Sequence, residues 1–166
     1  MQRAIWRLSS AAAAVLFLSS SAFAQATANG SINVTANVNA KAKLTLGAGS
    51  ITFADADPDT TPLMTATAVS VDVRARTSAA GNVTLTVIAT DDLISGTDVI
   101  GIGNLTWTVA GAGFAAGTSN KTTAQTVGSW TGSGNPLGTQ TYRLPNSWTY
   151  NTGTYSVTLN YTLSAP

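Results

Sequence analysis

The sequence predicts an all-β protein that folds as a single antiparallel β-sandwich. Apolar residues recur at every second position in several short segments, which is the period of a strand with one buried face. Turn signals rich in Gly, Pro, Asn and Asp separate these segments, and no amphipathic helix is indicated after the first two dozen residues. About seven to nine short strands of this kind indicate an immunoglobulin-like sandwich, with a closed barrel as the alternative.

The first part of the chain, residues 1–24, has the pattern of a secretory signal peptide. Arg3 and Arg7 precede an apolar stretch at residues 8–18, and Ala22-Phe23-Ala24 forms a small-x-small cleavage site. The apolar stretch is too short to span a bilayer, and no later stretch is long and apolar enough. We therefore expect export to the periplasm, the cell surface or the extracellular medium, with residues 25–166 as the mature domain.

Charge is scarce in the predicted mature domain. Without Arg3 and Arg7, six basic residues face seven aspartates, and no basic run of the kind that captures a phosphate backbone is present. Nucleic acid is therefore not an expected partner. The chain has no cysteine, so an exported domain of this size must be stabilised by its hydrophobic core without disulfides.

The mature chain opens with a long period-two run from Ser31 to Leu46. All its even positions are apolar: Ile32, Val34, Ala36, Val38, Ala40, Ala42, Leu44 and Leu46. As one straight strand the run would span about 50 Å, whereas an ordinary strand covers ~17–20 Å. Either it bends from one sheet into the other, or its first part, residues 25–38, leaves the domain and pairs with another chain.

Shorter elements follow in order. A short strand is predicted at residues 51–53, and a loop at 55–62, where Pro58 and Pro62 cannot donate to a ladder. Val69–Arg76 and Val83–Val87 alternate strictly and predict a hairpin closed by residues 78–82. A glycine-rich irregular stretch is predicted at residues 96–103. Four further strands are predicted at residues 105–109, 125–130, 139–144 and 155–163.

The residue inventory argues against an enzyme. The chain has no histidine, cysteine or glutamate, so Ser-His-Asp sites, Cys-His sites and zinc sites cannot be assembled. All seven aspartates fall at predicted turns or on a solvated strand face, where a desolvated catalytic pocket is not expected. We therefore expect a non-catalytic protein.

One acidic cluster suggests a metal. Asp55, Asp57 and Asp59 could provide oxygen ligands for calcium, and no other cofactor is indicated by the sequence. The spacing is not that of an EF-hand, because Thr60 and Ala66 stand where that loop has Gly and Glu. Asx-turns around Pro58 are the favoured interpretation.

The aromatic residues suggest a second kind of site. Trp148 and Tyr150 share a face of a predicted strand, and Trp130 precedes a flexible glycine-rich loop, so the three are candidates for a glycan-stacking platform. Trp107 lies between Leu105 and Val109 on an apolar face, and burial in the core is predicted for it.

The segment Ile32–Val38 resembles the N-terminal donor strand of chaperone–usher pilins, especially the disulfide-free kind. Gly153–Val157 is similar to the start of the final strand in such subunits. The resemblance implies a subunit of a bacterial surface fibre, a fimbrium, with other copies or sister subunits as partners. It implies that four side chains fill the groove of the next subunit, namely Ile32, Val34, Ala36 and Val38.

The end of the chain also resembles the W-x-L cell-surface domain. Residues Gly153–Pro166 are similar to its closing strand, with Tyr161 at the position of its Trp, and Trp107–Val109 is similar to its earlier motif. Such domains attach non-covalently to peptidoglycan. This resemblance therefore implies a cell-wall or polysaccharide-binding module, which is the alternative to a fibre subunit.

Overall fold

The computed structural model describes residues 26–166, and the predicted signal peptide lies outside the described residues. The chain divides into two units, Met1–Ala36 and Asn37–Pro166. The described part of the first unit, residues 26–36, contains neither helix nor strand, and its residues are exposed. Within residues 26–166, no helix has the length and hydrophobicity needed to cross a bilayer.

The described part of the second unit is built from eleven strands and one short 3₁₀ helix, Ile102–Asn104. The strands are β1 (Lys41–Leu46), β2 (Leu63–Thr65), β3 (Val69–Arg76), β4 (Asn82–Ala89), β5 (Leu93–Ser95), β6 (Asp98–Ile100), β7 (Thr106–Ala110), β8 (Gly117–Thr118), β9 (Gln125–Thr131), β10 (Leu137–Pro145) and β11 (Leu159–Ser164).

All strand pairs are antiparallel, and they form three separate sheets rather than one closed barrel. The larger sheet, called sheet A, has the order β1-β3-β10-β7-β8, and β2 pairs with the end of β10. The smaller sheet, sheet B, has the order β11-β4-β9, and β5 and β6 form a hairpin. The all-β, antiparallel class predicted from the sequence is confirmed, and the arrangement is consistent with a β-sandwich.

The core lies between sheets A and B. Every second side chain of β3 and β4 is buried, as their alternation predicted, because a strand turns successive side chains to opposite faces. Residues from both sheets contribute to one apolar cluster, whose best-buried aliphatic members are Val71, Val73, Val83, Leu85, Val87 and Val127.

Trp107 is part of this core, as predicted. Its side chain is 1% exposed, and its indole Nε1 donates a hydrogen bond to the carbonyl oxygen of Ala115 at 2.9 Å. The ring lies so close to Gly117 that a Cβ there would be 2.5 Å from a ring carbon. A side chain at Gly117 would therefore displace the tryptophan.

One segment, residues 113–118, closes one side of the sandwich. The amide of Ala115 donates to Val127 of β9 at 2.8 Å, and the amide of Ser129 donates to Gly113 at 2.9 Å. Two residues later the same segment becomes β8 and pairs with β7 of sheet A. The edges of both sheets are thus joined here, and we call this the sealed side.

Two predicted elements are wrong, and a third, the opening strand, is shorter than the run that predicted it. β3 and β4 do not form a hairpin, because they belong to different sheets and residues 77–81 cross between them. Only Lys41–Leu46 of the long opening run is a strand, and residues 31–40 have no strand partner in the described part of the chain. Residues 51–53 form no strand either, although Ile51 and Phe53 pack against the core.

Replacing Leu85 by Ala should lower the free energy of unfolding by about 2–5 kcal/mol, because the side chain is wholly buried and its removal leaves a cavity. Ile88→Ala on the same strand is the matched control, since Ile88 points to the other face and is only half-buried. Urea unfolding of the two variants measures the difference. Equal losses would contradict the assignment of the buried face of β4.

Candidate functional site

The side of the sandwich opposite the sealed side is incompletely covered. Within the described residues, β1 pairs only with β3 and β11 only with β4, and the two edge strands approach each other, one from each sheet. Their inward side chains are half-buried, whereas those of β3 and β4 are fully buried; they are Leu44, Leu46, Leu159, Tyr161 and Leu163. We call this the open side.

A cavity of about 1270 Å³ opens between the sheets near Leu46 and Leu159. Its apolar wall comes from the core and includes Leu93, Leu105 and Leu144. Pockets for small ligands usually measure ~300–1,000 Å³, so this cavity is larger than one small molecule requires.

Two irregular segments, residues 47–62 and 146–158, form the mouth of the cavity and contain no strand. They are tied together at Asn146. Its side-chain amide donates to the carbonyl oxygens of Ala56 at 2.9 Å and Thr61 at 3.2 Å. The mouth is therefore held by hydrogen bonds between loops rather than by a ladder.

A chain of hydrogen bonds crosses from one sheet to the other beside the cavity. The hydroxyl of Tyr161, on β11, donates to Oε1 of Gln140, on β10, at 2.6 Å. The hydroxyls of Tyr161 and Tyr142 also contact each other. Because the single proton of Tyr161 is already directed to Gln140, Tyr142 must donate in this contact.

Burial raises the pKa of both tyrosine hydroxyls. For Tyr142 the nearby Tyr161 adds to the effect, whereas for Tyr161 the hydrogen bond accepted from Tyr142 opposes it. Both hydroxyls therefore stay protonated at neutral pH and act as fixed polar groups in an otherwise apolar wall. Gln140 is 1% exposed, and its Nε2 has no hydrogen-bond partner among the described residues.

The candidate aromatic residues do not form one platform. Trp148 and Tyr150 lie in a turn rather than on a strand, and both line the large cavity. Trp148 is 70% exposed, and its Nε1 donates to Oδ1 of Asp59 at 3.1 Å, which fixes the ring. Trp130 lines a second cavity of about 350 Å³ and packs edge-to-face on Phe114.

The acidic cluster forms a turn. Oδ1 of Asp57 accepts a hydrogen bond from the amide of Asp59 at 2.9 Å, which is the Asx-turn favoured from the sequence. Within residues 26–166, no group of three or more carboxylates is arranged to hold a metal ion. The geometry of Asp55, Asp57 and Asp59 thus lends no support to a calcium site.

The candidate donor residues are accessible. Ile32 and Val34 are 90% and 89% exposed, Val38 is 66% exposed, and Ala36 is also exposed. The segment that contains them has no strand or helix. Large aliphatic side chains exposed at alternate positions of one segment are unusual on a protein surface, and such patches commonly mark interaction sites.

No protein-family model and no curated protein matches this chain.

The hydrogen-bonded chain at Gln140 was not predicted, although the sequence contains a signal for it. On the predicted strand at residues 139–144, Gln140 lies on the same face as Tyr142 and Leu144, so a polar side chain occupies a core position.

Replacing Tyr161 by Phe should lower the free energy of unfolding by about 1–3 kcal/mol, because Oε1 of Gln140 and the hydroxyl of Tyr142 lose their partner away from water. Tyr155→Phe is the control, since its hydroxyl donates to Asn151 at an exposed position. Urea unfolding at neutral pH compares them. A smaller loss for Tyr161→Phe than for Tyr155→Phe would refute the role of the polar chain.

Stability should also fall as the pH rises above about 10. Unfolded tyrosines ionise near that pH, whereas burial holds the pKa of Tyr142 and Tyr161 higher, so the unfolded state loses protons first. Below that pH the contribution is fully present. Unfolding midpoints measured from pH 8 to 11 should decline less steeply in Tyr161→Phe, and identical slopes would contradict this account.

Proposed function

We propose that the mature chain is an exported, non-catalytic subunit of a surface fibre, completed by a strand from a neighbouring copy or sister subunit. The observation that carries the proposal is the open side, where the inward faces of β1 and β11 are half-buried beside a cavity of about 1270 Å³. An isolated domain leaves this apolar surface in contact with water, at a cost that a further strand would remove.

The strand order supports an immunoglobulin-like sandwich that lacks one strand. Such sandwiches place strands A, B, E and D in one sheet and C, F and G in the other. Here β1-β3-β10-β7 can be aligned with A-B-E-D and β11-β4 with F-C, while β8, beyond β7, and β9, beyond β4, have no counterpart in this scheme. The place of strand G, beside F, corresponds to the free edge of β11, which is also an edge of the open side.

Ile32–Val38 has the properties that the missing strand requires. Its even side chains are apolar and exposed, and the odd ones, Asn33, Thr35 and Asn37, are polar and suit a solvated face. Fully extended, the segment spans ~20 Å, which is close to the length of a six-residue strand such as β11.

Strand addition would satisfy two needs of the open side together. Main-chain hydrogen bonds would pair the free edge of β11, and alternate side chains would enter the apolar groove. Burying Ile32, Val34 and Val38 would contribute about 1.5–3 kcal/mol each before the cost of ordering the segment. It would also cover an edge that otherwise invites aggregation.

A second candidate function is a cell-wall or polysaccharide-binding module. Trp148 favours it, because this ring is 70% exposed and is held in one orientation by Asp59. A rigid exposed aromatic next to a carboxylate can stack on a sugar and accept hydrogen bonds from its hydroxyl groups. The resemblance to W-x-L domains points the same way, although Trp130 lies at a different cavity.

Replacing Val34 by Asp tests the fibre function in the mature protein. The wild type should form oligomers that grow with concentration, whereas the variant should stay monomeric, because a charge would enter an apolar groove without a partner. The side chain is 89% exposed in the subunit itself, so the unfolding midpoint of the monomer should not change. Light scattering after size-exclusion chromatography measures the oligomers.

Thr35→Asp is the matched control. In an extended strand Thr35 would point to the solvated face, opposite to Val34, so it should tolerate the same charge. A synthetic peptide of residues 26–40 should also raise the unfolding midpoint of Val34→Asp, whose groove is intact, and a peptide carrying the same substitution should not. Monomeric wild type at every concentration, or loss of folding in Val34→Asp, would refute strand donation.

A further inference from the structure

The register between β1 and β3 gathers four basic residues that are far apart in the sequence. Lys41 lies directly opposite Arg76, and Lys43 directly opposite Arg74. All four are exposed on the outer face of sheet A, because the alternate residues of β3 are the buried ones. The four side chains therefore form one basic patch, which the sequence alone did not indicate. We call this patch the basic rectangle.

This arrangement is not explained by stability. Like charges directly opposite each other on neighbouring strands are destabilising, and the chain contains only eight basic residues in all. One acid lies beside the rectangle, Asp72, which accepts from Arg74 at 3.2 Å. Within residues 26–166, Lys41, Lys43 and Arg76 make no salt bridge, although Nε of Arg76 donates to the carbonyl oxygen of Asn39.

Protection of a sheet edge explains the two lysines of the rectangle but not its two arginines. Lysines on an edge strand discourage unwanted pairing, and β1 is an edge strand. Arg74 and Arg76 are not on an edge: the other side of this part of β3 is hydrogen-bonded to Gly134 and Pro136. Their charges therefore need another explanation.

The rest of the outer face is rich in hydroxyl groups, and its further charged residues are Asp72 and Arg143, the latter beyond the part of β10 that pairs with β3. Along the strands next to the rectangle, the outward residues include Thr45, Ser70, Thr139, Thr141 and Thr108. The basic side chains lie on this flat outer face of sheet A and do not converge on a pocket. Directly opposite side chains are ~4.5–5.5 Å apart, so the four cations form a small flat array.

We propose that the basic rectangle binds an acidic polysaccharide, whose carboxylate or sulfate groups pair with the four cations while its hydroxyl groups hydrogen-bond to the threonine face. Exposed ion pairs contribute little one at a time, so a polymer with repeated charges is the ligand that can gain from this array. No aromatic side chain lies in the rectangle for a base to stack on, which disfavours single-stranded nucleic acid. This inference does not rest on strand donation, because the outer face of sheet A points away from the core.

The test uses the mature protein with polygalacturonate as the carboxylate probe, dextran sulfate as the sulfate probe, and neutral dextran and single-stranded DNA for comparison. Binding is measured by titration calorimetry at several salt concentrations. Lys43→Gln/Arg74→Gln should weaken binding to at least one acidic polysaccharide by about tenfold, as loss of two exposed ion pairs implies. Its unfolding midpoint should change little, because the opposed like charges and the exposed Arg74–Asp72 ion pair are removed together.

Two controls separate the rectangle from net charge. Lys43→Arg/Arg74→Lys keeps the charges and should retain binding, and Lys121→Gln removes a positive charge beside Asp91 and Asp92, outside sheet A, and should change affinity far less. Preference for the carboxylate or the sulfate probe identifies the anionic group. The proposal is overturned if neither acidic probe binds at low salt, if Lys121→Gln loses as much affinity as Lys43→Gln/Arg74→Gln, or if neutral dextran or DNA binds at least as tightly.

Discussion

Burial of every second side chain along β3 and β4 is the constraint on which the rest of the domain depends. These side chains hold sheet A against sheet B, and the chain has no disulfide to support them. Trp107 adds the largest wholly buried side chain, and its contact with Gly117 brings the closing segment of the sealed side against the core. Because interiors are close-packed, any separation of the sheets would disturb all of these contacts at once.

The hydrogen-bonded chain through Tyr142, Tyr161 and Gln140 explains how β11 keeps its place beside a cavity. This strand has one ladder neighbour among the described residues, and its inward face is incompletely packed. The hydroxyl of Tyr161 ties it across the core to β10. A hydrogen bond in a low-dielectric interior fixes geometry more sharply than an apolar contact does, so the cavity keeps a defined wall.

Period-two patterns predicted most strands, the class of the fold and the burial of Trp107, because they report local geometry and burial directly. They could not tell whether β3 and β4 are neighbours in one sheet or face each other across the core, since either arrangement buries one face. The same alternation in residues 31–40 shows that this segment could form a strand. It does not show what the strand would pair with, because a pairing partner lies elsewhere in the chain or on another chain. The basic rectangle was invisible because it depends on the register between residues more than thirty positions apart.

The contrast between the sealed side and the open side has a geometric consequence. Segment 113–118 joins the sheets on one side, so the free ladder edges of β1 and β11 lie together on the other. If residues 32–38 of one copy complete the open side of the next, as proposed, the contact joins two different surfaces, so it is heterologous and has no twofold axis. Such contacts repeat in one direction and produce a polar filament with two unlike ends, or a closed ring if the rotation per subunit happens to divide a full turn.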